Sequence, residues 1–168
     1  MAGEPIANLI DAMIASEKTL GGDPDWQSAG NNAGEWRLRV PLFIAGESCG
    51  VDVEINAYPD SGTNHFRIML NADKCIWRID FNHFETHQNP HDSWEVYGVR
   101  FREPHFHSWA ANRRYATNSS LPAKLKIAQV LPTTIRQFDT VFRWFCGEVN
   151  IVQPPVNLIT LPGRTRLI

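Results

Sequence analysis

The sequence predicts an α+β fold, in which a meander of about five or six antiparallel strands is packed by an N-terminal helix and a C-terminal amphipathic helix. Apolar residues recur at helical spacing near both ends of the chain and alternate with polar residues through its middle, where turn-forming residues separate the alternating stretches. We expect one domain over residues 1–168, with a helix at 5–18, the sheet at 35–109, helical structure at 122–147 and an irregular tail at 148–168.

The first helix is predicted from apolar residues at steps of three and four between Pro5 and Lys18. Proline is tolerated in a first helical turn, and Gly21 and Gly22 mark the end of the element. A loop rich in Gly, Asn, Asp and Ser follows, and the period of the apolar residues then changes from that of a helix to that of a strand.

Two alternating stretches, at 36–42 and 51–57, predict half-buried strands joined as a hairpin by a turn at 46–50. Their polar faces should pair by charge across the strands, through Arg37, Arg39, Asp52 and Glu54. Turns at 59–62 and 71–74 lead to two more strands, the second of which carries Arg78 and Asp80 on its polar face.

A further strand pair is predicted around 96–101 and 105–109, with Pro104 at a strand start or an edge. Residues 121–131 predict a weaker helix bounded by prolines. Apolar residues from Ile135 to Phe145 predict a stronger helix, capped by Thr133 or Thr134 and ended by Gly147. We expect this second helix to pack on the sheet.

The composition is that of a soluble globular protein, with 43% hydrophobic and 20% charged residues. The sequence has neither a stretch long enough to span a bilayer nor the basic-then-apolar start of a secretory signal, so we predict a cytoplasmic protein without membrane association. Three widely spaced cysteines argue against both a disulfide framework and a structural zinc site.

All six histidines lie between His65 and His107, which makes this segment the best candidate for chemistry. His83, His87 and His91 have the HxxxHxxxH spacing that lines one helical face and can hold a metal ion. Pro90 argues against that helix. The alternative is a loop in which His87 and Asn89 project toward the end of the sheet.

His105 and His107 are two residues apart on a predicted strand, so both imidazoles and Trp109 should share one face. The pair can supply two ligands to a divalent transition metal (Zn, Mn or Fe), with a third from His87, Asp80 or His83. It can equally act without metal, as general base and general acid on a phosphodiester. A hydrogen-bonded structural pair is the remaining alternative.

Residues 97–126 hold six basic residues and one acid, although the whole chain has a net charge of −2. Basic side chains interleaved with aromatic ones can bind phosphates while rings stack on bases. They can also pair with acidic residues elsewhere in the fold. The candidate substrate-binding residues of this region and the preceding loop are Arg100, Arg102, Trp109, Arg113, Arg114, Tyr115 and Asn89.

Three separated pieces resemble a family of small uncharacterised bacterial and phage proteins: Arg78-Ile79-Asp80, His87-Gln88-Asn89-Pro90 and Pro104-His105-Phe106-His107. The similarity covers about residues 75–115 and, more weakly, the C-terminal helix as far as Ile151. Where the family usually shows Asp-Gly after HxNP, this chain has His91-Asp92. The resemblance implies that the three motifs form one site, without assigning an activity.

Three functional hypotheses follow. The first is a phosphodiester-directed hydrolase of the ribonuclease type, in a toxin or phage-defence context, with RNA or another phosphate-bearing ligand as its partner. In it, His87, His105 and His107 act as acid, base or metal ligands, Arg78 and Arg113 or Arg114 hold phosphate, and Asp80 orients a histidine. The second is a phage or mobile-element inhibitor that binds a host protein complex. The third is a metal-dependent enzyme acting on a non-phosphate substrate.

Overall fold

The computed structural model describes residues 5–22, 24–29, 34–91, 100–152 and 161–162. Within these residues, an antiparallel sheet of eight strands packs against helices, which confirms the predicted α+β class and adds strands to the five or six expected. The helices are α1 (Ile6–Ala15), α2 (Trp109–Asn112) and α3 (Phe138–Glu148). None of the helices in these residues is long and apolar enough to cross a lipid bilayer.

The main sheet has the strand order β1-β3-β4-β5-β6-β9-β10, and β2 also pairs with β3. A separate two-stranded sheet is formed by β7 and β8. The strands are β1 (Thr19–Leu20), β2 (Gln27–Ser28), β3 (Trp36–Ile44), β4 (Glu47–Tyr58), β5 (Thr63–Leu70), β6 (Lys74–Phe81), β7 (His87–Gln88), β8 (Arg100–Phe101), β9 (His105–His107) and β10 (Gln129–Val130).

One face of the sheet forms the core with α3. The ring of Phe66 in β5 lies 5.3–6.3 Å, centroid to centroid, from the rings of Phe138, Phe142 and Phe145. Ala7 and Ile10 of α1 are buried in the same core. Burying aromatic side chains of this size supplies much of the free energy that holds a helix on a sheet.

The opposite face carries two rows of polar side chains that cross five strands, β3, β4, β5, β6 and β9. Because strand side chains alternate between faces, residues paired across neighbouring strands lie on the same face. One row is Arg37, Asn56, His65, Asp80 and His105, and the other is Arg39, Glu54, Arg67, Arg78 and His107. Both histidines of β9 are therefore placed on the polar face, at the end of these rows.

The hairpin of β3 and β4 is confirmed, but its turn is shorter than the 46–50 predicted. Ile44 pairs directly with Glu47, and Ala45 and Gly46 both have positive φ, 50° and 83°. Two central residues with positive φ form the tight hairpin turn whose twist matches that of the strands.

Charge pairing between β3 and β4 is confirmed for one pair only. Arg39 Nε lies 2.8 Å from Asp52 Oδ2. Arg37 instead approaches Glu35, at 3.5 Å, and Glu54 pairs with Arg67 of β5, at 3.0 Å. β4 lies between β3 and β5, so its charged side chains can pair with residues of either strand. A prediction based on the β3–β4 hairpin alone does not include the partners on β5.

The N-terminal helix ends at Ala15, three residues before the predicted end at residue 18, and the side chain of Lys18 turns back to its C-terminal carbonyls. This side chain is fully buried, and its ammonium group donates to the carbonyls of Met13, Ile14 and Ser16 at 2.5–3.0 Å. These are carbonyls that the last turn of a helix leaves without intrahelical donors. Lys18 also forms a backbone bridge with Ile151, and Asn150 Nδ2 donates to the Ala15 carbonyl at 2.7 Å, so the start of the tail predicted to be irregular is bonded to the end of α1 and the residues after it.

The helix predicted at 121–131 is wrong: this segment contains no helix and includes β10 near its end. There, side-chain amides replace helical hydrogen bonds: Asn112 bonds to both backbone groups of Ile127, and Asn89 to both backbone groups of Ala128. The predicted caps Thr133 and Thr134 are also wrong. The second helix begins at Phe138, with a reciprocal capping box between Gln137 and Thr140.

The strand pairing predicted between 96–101 and 105–109 does not form in the part of the chain that the structure describes; residues 96–99 lie outside it. Arg100–Phe101 pairs with β7, and β9 pairs with β6 and β10. Pro104 does precede a strand start, as predicted. The strand then ends at His107 because Ser108 caps α2, accepting a hydrogen bond from the backbone of Ala111.

Candidate functional site

Three imidazole rings come together where β7 crosses the polar face of the main sheet. The ring centroids of His87 and His105 are 5.2 Å apart, those of His87 and His107 4.8 Å, and those of His105 and His107 5.4 Å. One ring nitrogen from each residue lies within 4.8 Å of one from each of the others. We call these residues the histidine cluster. His83 and His91 are exposed, and neither belongs to it.

Asn89 holds the covering loop in place. Its Oδ1 accepts a hydrogen bond from the Ala128 backbone N–H at 2.8 Å, and its Nδ2 donates to the Ala128 carbonyl at 2.9 Å. The side chain is 1% exposed. The predicted substrate-binding role of Asn89 is therefore wrong, because its amide is buried and committed to the backbone.

His87 has an orientation fixed by two acceptors. Its Nε2 lies 3.1 Å from Asn89 Oδ1 and 3.1 Å from the Lys126 carbonyl oxygen. Because both oxygens can only accept, Nε2 carries the proton and Nδ1 carries the lone pair of the neutral ring. Burial lowers the pKa of His87, with the charge of His105 as a further cause, so the neutral ring is favoured.

His105 has the opposite tautomer. Its Nδ1 donates to the Glu103 carbonyl oxygen at 3.0 Å, which leaves the lone pair of a neutral ring on Nε2. That nitrogen faces Asp80 Oδ2 at 3.5 Å. A proton or a metal cation placed between these two atoms is attracted by both of them.

His107 is completely buried. Its Nε2 lies 3.0 Å from Arg78 Nη2 and 3.4 Å from Asp80 Oδ2. Its Nδ1 has no hydrogen-bond partner among the described residues. Burial is the main cause that lowers the pKa of His107 to about 4, so this ring is neutral at neutral pH. Buried polar atoms without a partner are uncommon in folded proteins.

Asp80 connects the cluster to the rest of the polar face. Its Oδ2 lies 2.9 Å from Arg78 Nε, and its Oδ1 accepts from His65 Nδ1 at 3.0 Å. Burial alone would raise the pKa of Asp80, but its contacts with three histidines and the charge of Arg78 outweigh burial and hold that pKa well below its usual range. The carboxylate is therefore ionised, and the predicted orienting role of Asp80 agrees with this geometry.

His65 was not predicted as a site residue because it lies on β5, far from the cluster in sequence. Its direct cross-strand partner is Asp80, and the partner of Asp80 on the other side is His105. Alternation does place His65 on the polar face, but only the register of three strands shows that it belongs beside Asp80.

A pocket of about 300 Å³ opens over the cluster. The residues that line it include Arg78 and His87 but not His105 or His107, whose side chains are buried. All charged residues among those described as lining it are cations. The full lining is Arg78, His87, Gln88, Pro90, Lys124, Leu125 and Lys126. Lys124 and Lys126 contributed to the predicted basic segment but had not been singled out as site residues.

Two predicted substrate-binding residues have structural roles away from this pocket. Trp109 is 3% exposed, and its indole N–H donates to Asp11 Oδ1 at 2.7 Å. Arg113 pairs with the same carboxylate at 2.7 Å and donates to Asn8 Oδ1 at 2.9 Å. Both side chains therefore join α1 to the region of α2. Both also line a second pocket, of about 630 Å³, so their predicted role in binding substrate stays a prediction.

The other predicted basic and aromatic residues lie at or beyond the edge of the pocket. Tyr115 contacts a lining residue, because Lys126 Nζ lies 4.6 Å from its ring centroid, and Arg114 lies 5.7 Å from the same ring. Arg100 is exposed in β8, where it pairs with Gln88, and Arg102 is exposed in the following loop. Neither arginine is among the described lining residues.

No family model, curated protein or solved structure matches this chain. The resemblance based on RxD, HxNP and PHxH therefore stays a prediction, although the structure does bring the three motifs together around Asp80 and the histidine cluster.

Proposed function

We propose that this protein is a hydrolase that cleaves phosphodiester bonds in RNA at the histidine cluster. The observation that carries the proposal is the pocket, in which Arg78, Lys124 and Lys126 surround His87 and the described lining contains no carboxylate. Clefts lined by one sign of charge attract ligands of the other sign, and phosphate is the anion that arginine and lysine commonly bind.

Arg78 connects the pocket to the cluster. Its guanidinium contacts Asp80 and His107, and its side chain is 32% exposed, so it can also reach a ligand in the pocket. Preorganised cations beside a phosphate stabilise the charge that develops on its oxygens in the transition state. Lys124 and Lys126 hold the phosphate from the other wall.

In the hydrolytic step, a water gives up one proton to a base as its oxygen forms a bond to phosphorus, the bond from phosphorus to the leaving oxygen breaks, and that oxygen takes up a proton. Imidazoles promote such a step in two ways, as general acid and base or as ligands of a metal ion that activates the water. Both place the reaction beside His87, the imidazole that lines the pocket.

The competing hypotheses are less well supported by the geometry. A protein-binding inhibitor that uses Trp109 as its anchor does not fit, because Trp109 is buried against Asp11. An enzyme for a non-phosphate substrate does not explain why cations dominate the pocket walls.

The test uses three substrates: a labelled single-stranded RNA, a DNA of the same sequence and a chromogenic phosphodiester. Each is assayed with chelator and with added zinc or manganese. We expect RNA cleavage, and a Lys124→Gln/Lys126→Gln variant should raise KM for RNA about tenfold or more through lost charge. Lys74→Gln is the matched control, because Lys74 is half-exposed, lies outside the described lining of the pocket and pairs with neighbouring Asp73. Absence of cleavage of all three substrates under every condition would overturn the proposal.

A further inference from the structure

We propose that the histidine cluster binds one divalent transition-metal ion of the zinc class, with His87 coordinating through Nδ1, His105 through Nε2, and His107 as the third ligand. This site deepens the proposed function by supplying the group that activates water. Metal binding itself does not depend on whether the substrate is RNA.

The first argument is the orientation of the rings. Histidines that bind metals usually donate their second ring N–H to a carbonyl or carboxylate, which fixes the tautomer and directs the lone pair to the ion. His87 does this with the Lys126 carbonyl and Asn89, at 3.1 Å each, and His105 with the Glu103 carbonyl, at 3.0 Å. Two different tautomers, fixed by different parts of the chain, thus supply nitrogens to one cluster.

The second argument is the spacing. One nitrogen from each of the three rings lies within 4.8 Å of the others. Nitrogens bound to one zinc ion through bonds of about 2.0–2.1 Å lie about 3.3 Å apart. Small rotations of the rings reach that spacing.

The third argument is charge. Asp80 Oδ2 lies 3.5 Å from His105 Nε2 and 3.4 Å from His107 Nε2, too far for strong hydrogen bonds but close to the spacing of ligands around a single ion. A cation at the cluster is attracted by this ionised carboxylate, which lies beside two of the three proposed ligands. Imidazole ligands select zinc, nickel, copper or iron over magnesium and calcium.

Arg78 opposes the ion, because its guanidinium lies 3.0 Å from His107 Nε2. Since the side chain is partly exposed, it can turn toward the pocket when the ion binds. Arg78→Met should therefore bind zinc at least as tightly as the unaltered protein while losing hydrolytic activity, which separates metal binding from phosphate binding.

The experiment is calorimetric titration of chelator-treated protein with zinc, and with magnesium for comparison. We expect one zinc ion per chain and no comparable binding of magnesium. His87→Ala should weaken zinc binding by more than about 100-fold, and half-buried His87 is the safest of the three to replace. His83→Ala and His91→Ala are matched controls, since both rings are exposed and outside the cluster. Circular dichroism checks that each variant is folded.

Nitrogen NMR of labelled histidines then tests the coordinating atoms. On zinc addition, the Nδ1 signal of His87 and the Nε2 signal of His105 should shift to values typical of metal-bound nitrogen. Absence of stoichiometric zinc binding, loss of binding in the controls alone, or coordination of His87 through Nε2 would overturn the metal site. Zinc binding without cleavage of any phosphodiester would overturn the proposed function and leave the metal site standing.

Discussion

The imidazole of His65 in β5 donates from Nδ1 to Asp80 Oδ1 in β6 at 3.0 Å, and Asp80 in turn faces His105 in β9. Three neighbouring strands thus place imidazole, carboxylate and imidazole in register on one face. This arrangement connects a residue well outside the pocket to the histidine cluster.

We expect His65→Leu to lower the free energy of unfolding by about 2 kcal/mol, the usual value of a hydrogen bond to a charged group that is largely buried. It should also weaken zinc binding by about tenfold, because Asp80 loses the partner that orients it. His65→Gln, which keeps a donor near Asp80, should recover part of both. Denaturant unfolding and calorimetry measure the two effects. A His65→Leu protein as stable as the original would contradict this role.

Asn89 and Asn112 act as a pair of clamps, each holding both backbone groups of one of two consecutive residues in a non-helical segment. Asn112 bonds to both backbone groups of Ile127, at 2.8 and 2.9 Å, and Asn89 does the same for Ala128. The segment between α2 and β10 is thereby held against the cluster, and the Lys126 carbonyl is brought to His87.

Asn89→Ala should therefore destabilise the fold by about 2–3 kcal/mol, since it leaves a buried N–H and a buried carbonyl of Ala128 without partners. Because His87 loses one of its two acceptors, its tautomer should also be less fixed. Equilibrium unfolding in urea measures the first effect. Asn118→Ala, at an exposed position, is the control and should change stability by less than about 0.5 kcal/mol. Equal effects in the two variants would exclude the clamp.

These clamps explain why part of the fold escaped prediction. In 121–131, Leu125, Ile127, Ala128 and Leu131 are buried in a pattern that also fits a short helix. The competing hydrogen bonds come from Asn89 and Asn112, whose distance in sequence hides them from any local pattern. By contrast, β3 and β4 were predictable because alternation over many residues has only one structural interpretation.

The same distinction applies to the candidate site. His105 and His107 were expected on one face because they are two residues apart on a strand, and Pro90 correctly argued against a helix through His87. Trp109 was misplaced because a single serine cap converts the chain from strand to helix at residue 109. The roles of Lys18 and His65 depend on contacts made only in the folded chain, and alternation indicates no more than the face of the sheet on which His65 lies.

The basic segment at 97–126 should divide into residues that bind RNA and residues that do not. Arg113→Gln removes the ion pair with Asp11, in which the Arg113 side chain is 45% exposed and the Asp11 side chain 40%. Because exposed ion pairs contribute little, the variant should lose at most about 1 kcal/mol of stability. Its affinity for RNA should be unchanged. Lys126→Gln should weaken RNA binding and reduce the dependence of log affinity on log salt by about 0.7. Fluorescence anisotropy with a non-cleavable RNA analogue at several salt concentrations measures both. A salt dependence that falls in Arg113→Gln but not in Lys126→Gln would reverse the assignment.

Lys18 should make stability depend on pH in the alkaline range. Burial lowers the pKa of Lys18 in the folded protein to about 8, from 10.5 for the ordinary side chain. Below about pH 8 the amine is protonated in both states and contributes no slope. Between that pH and 10.5, the unfolded chain binds more protons than the folded one, so the free energy of unfolding rises with pH, by an amount on the order of 1–3 kcal/mol.

Lys18→Met removes the titrating amine. The unfolding free energy of the original protein minus that of the variant then gives the contribution of Lys18 alone, because other groups that titrate at alkaline pH are present in both proteins. That difference should rise steadily as pH increases through this window, as measured by denaturant unfolding at closely spaced pH values. A difference that stays flat or falls would show that the three helix-end carbonyls stabilise the ammonium enough to cancel the cost of its burial. The sign of the slope thus decides whether burial or hydrogen bonding controls the charge of this lysine.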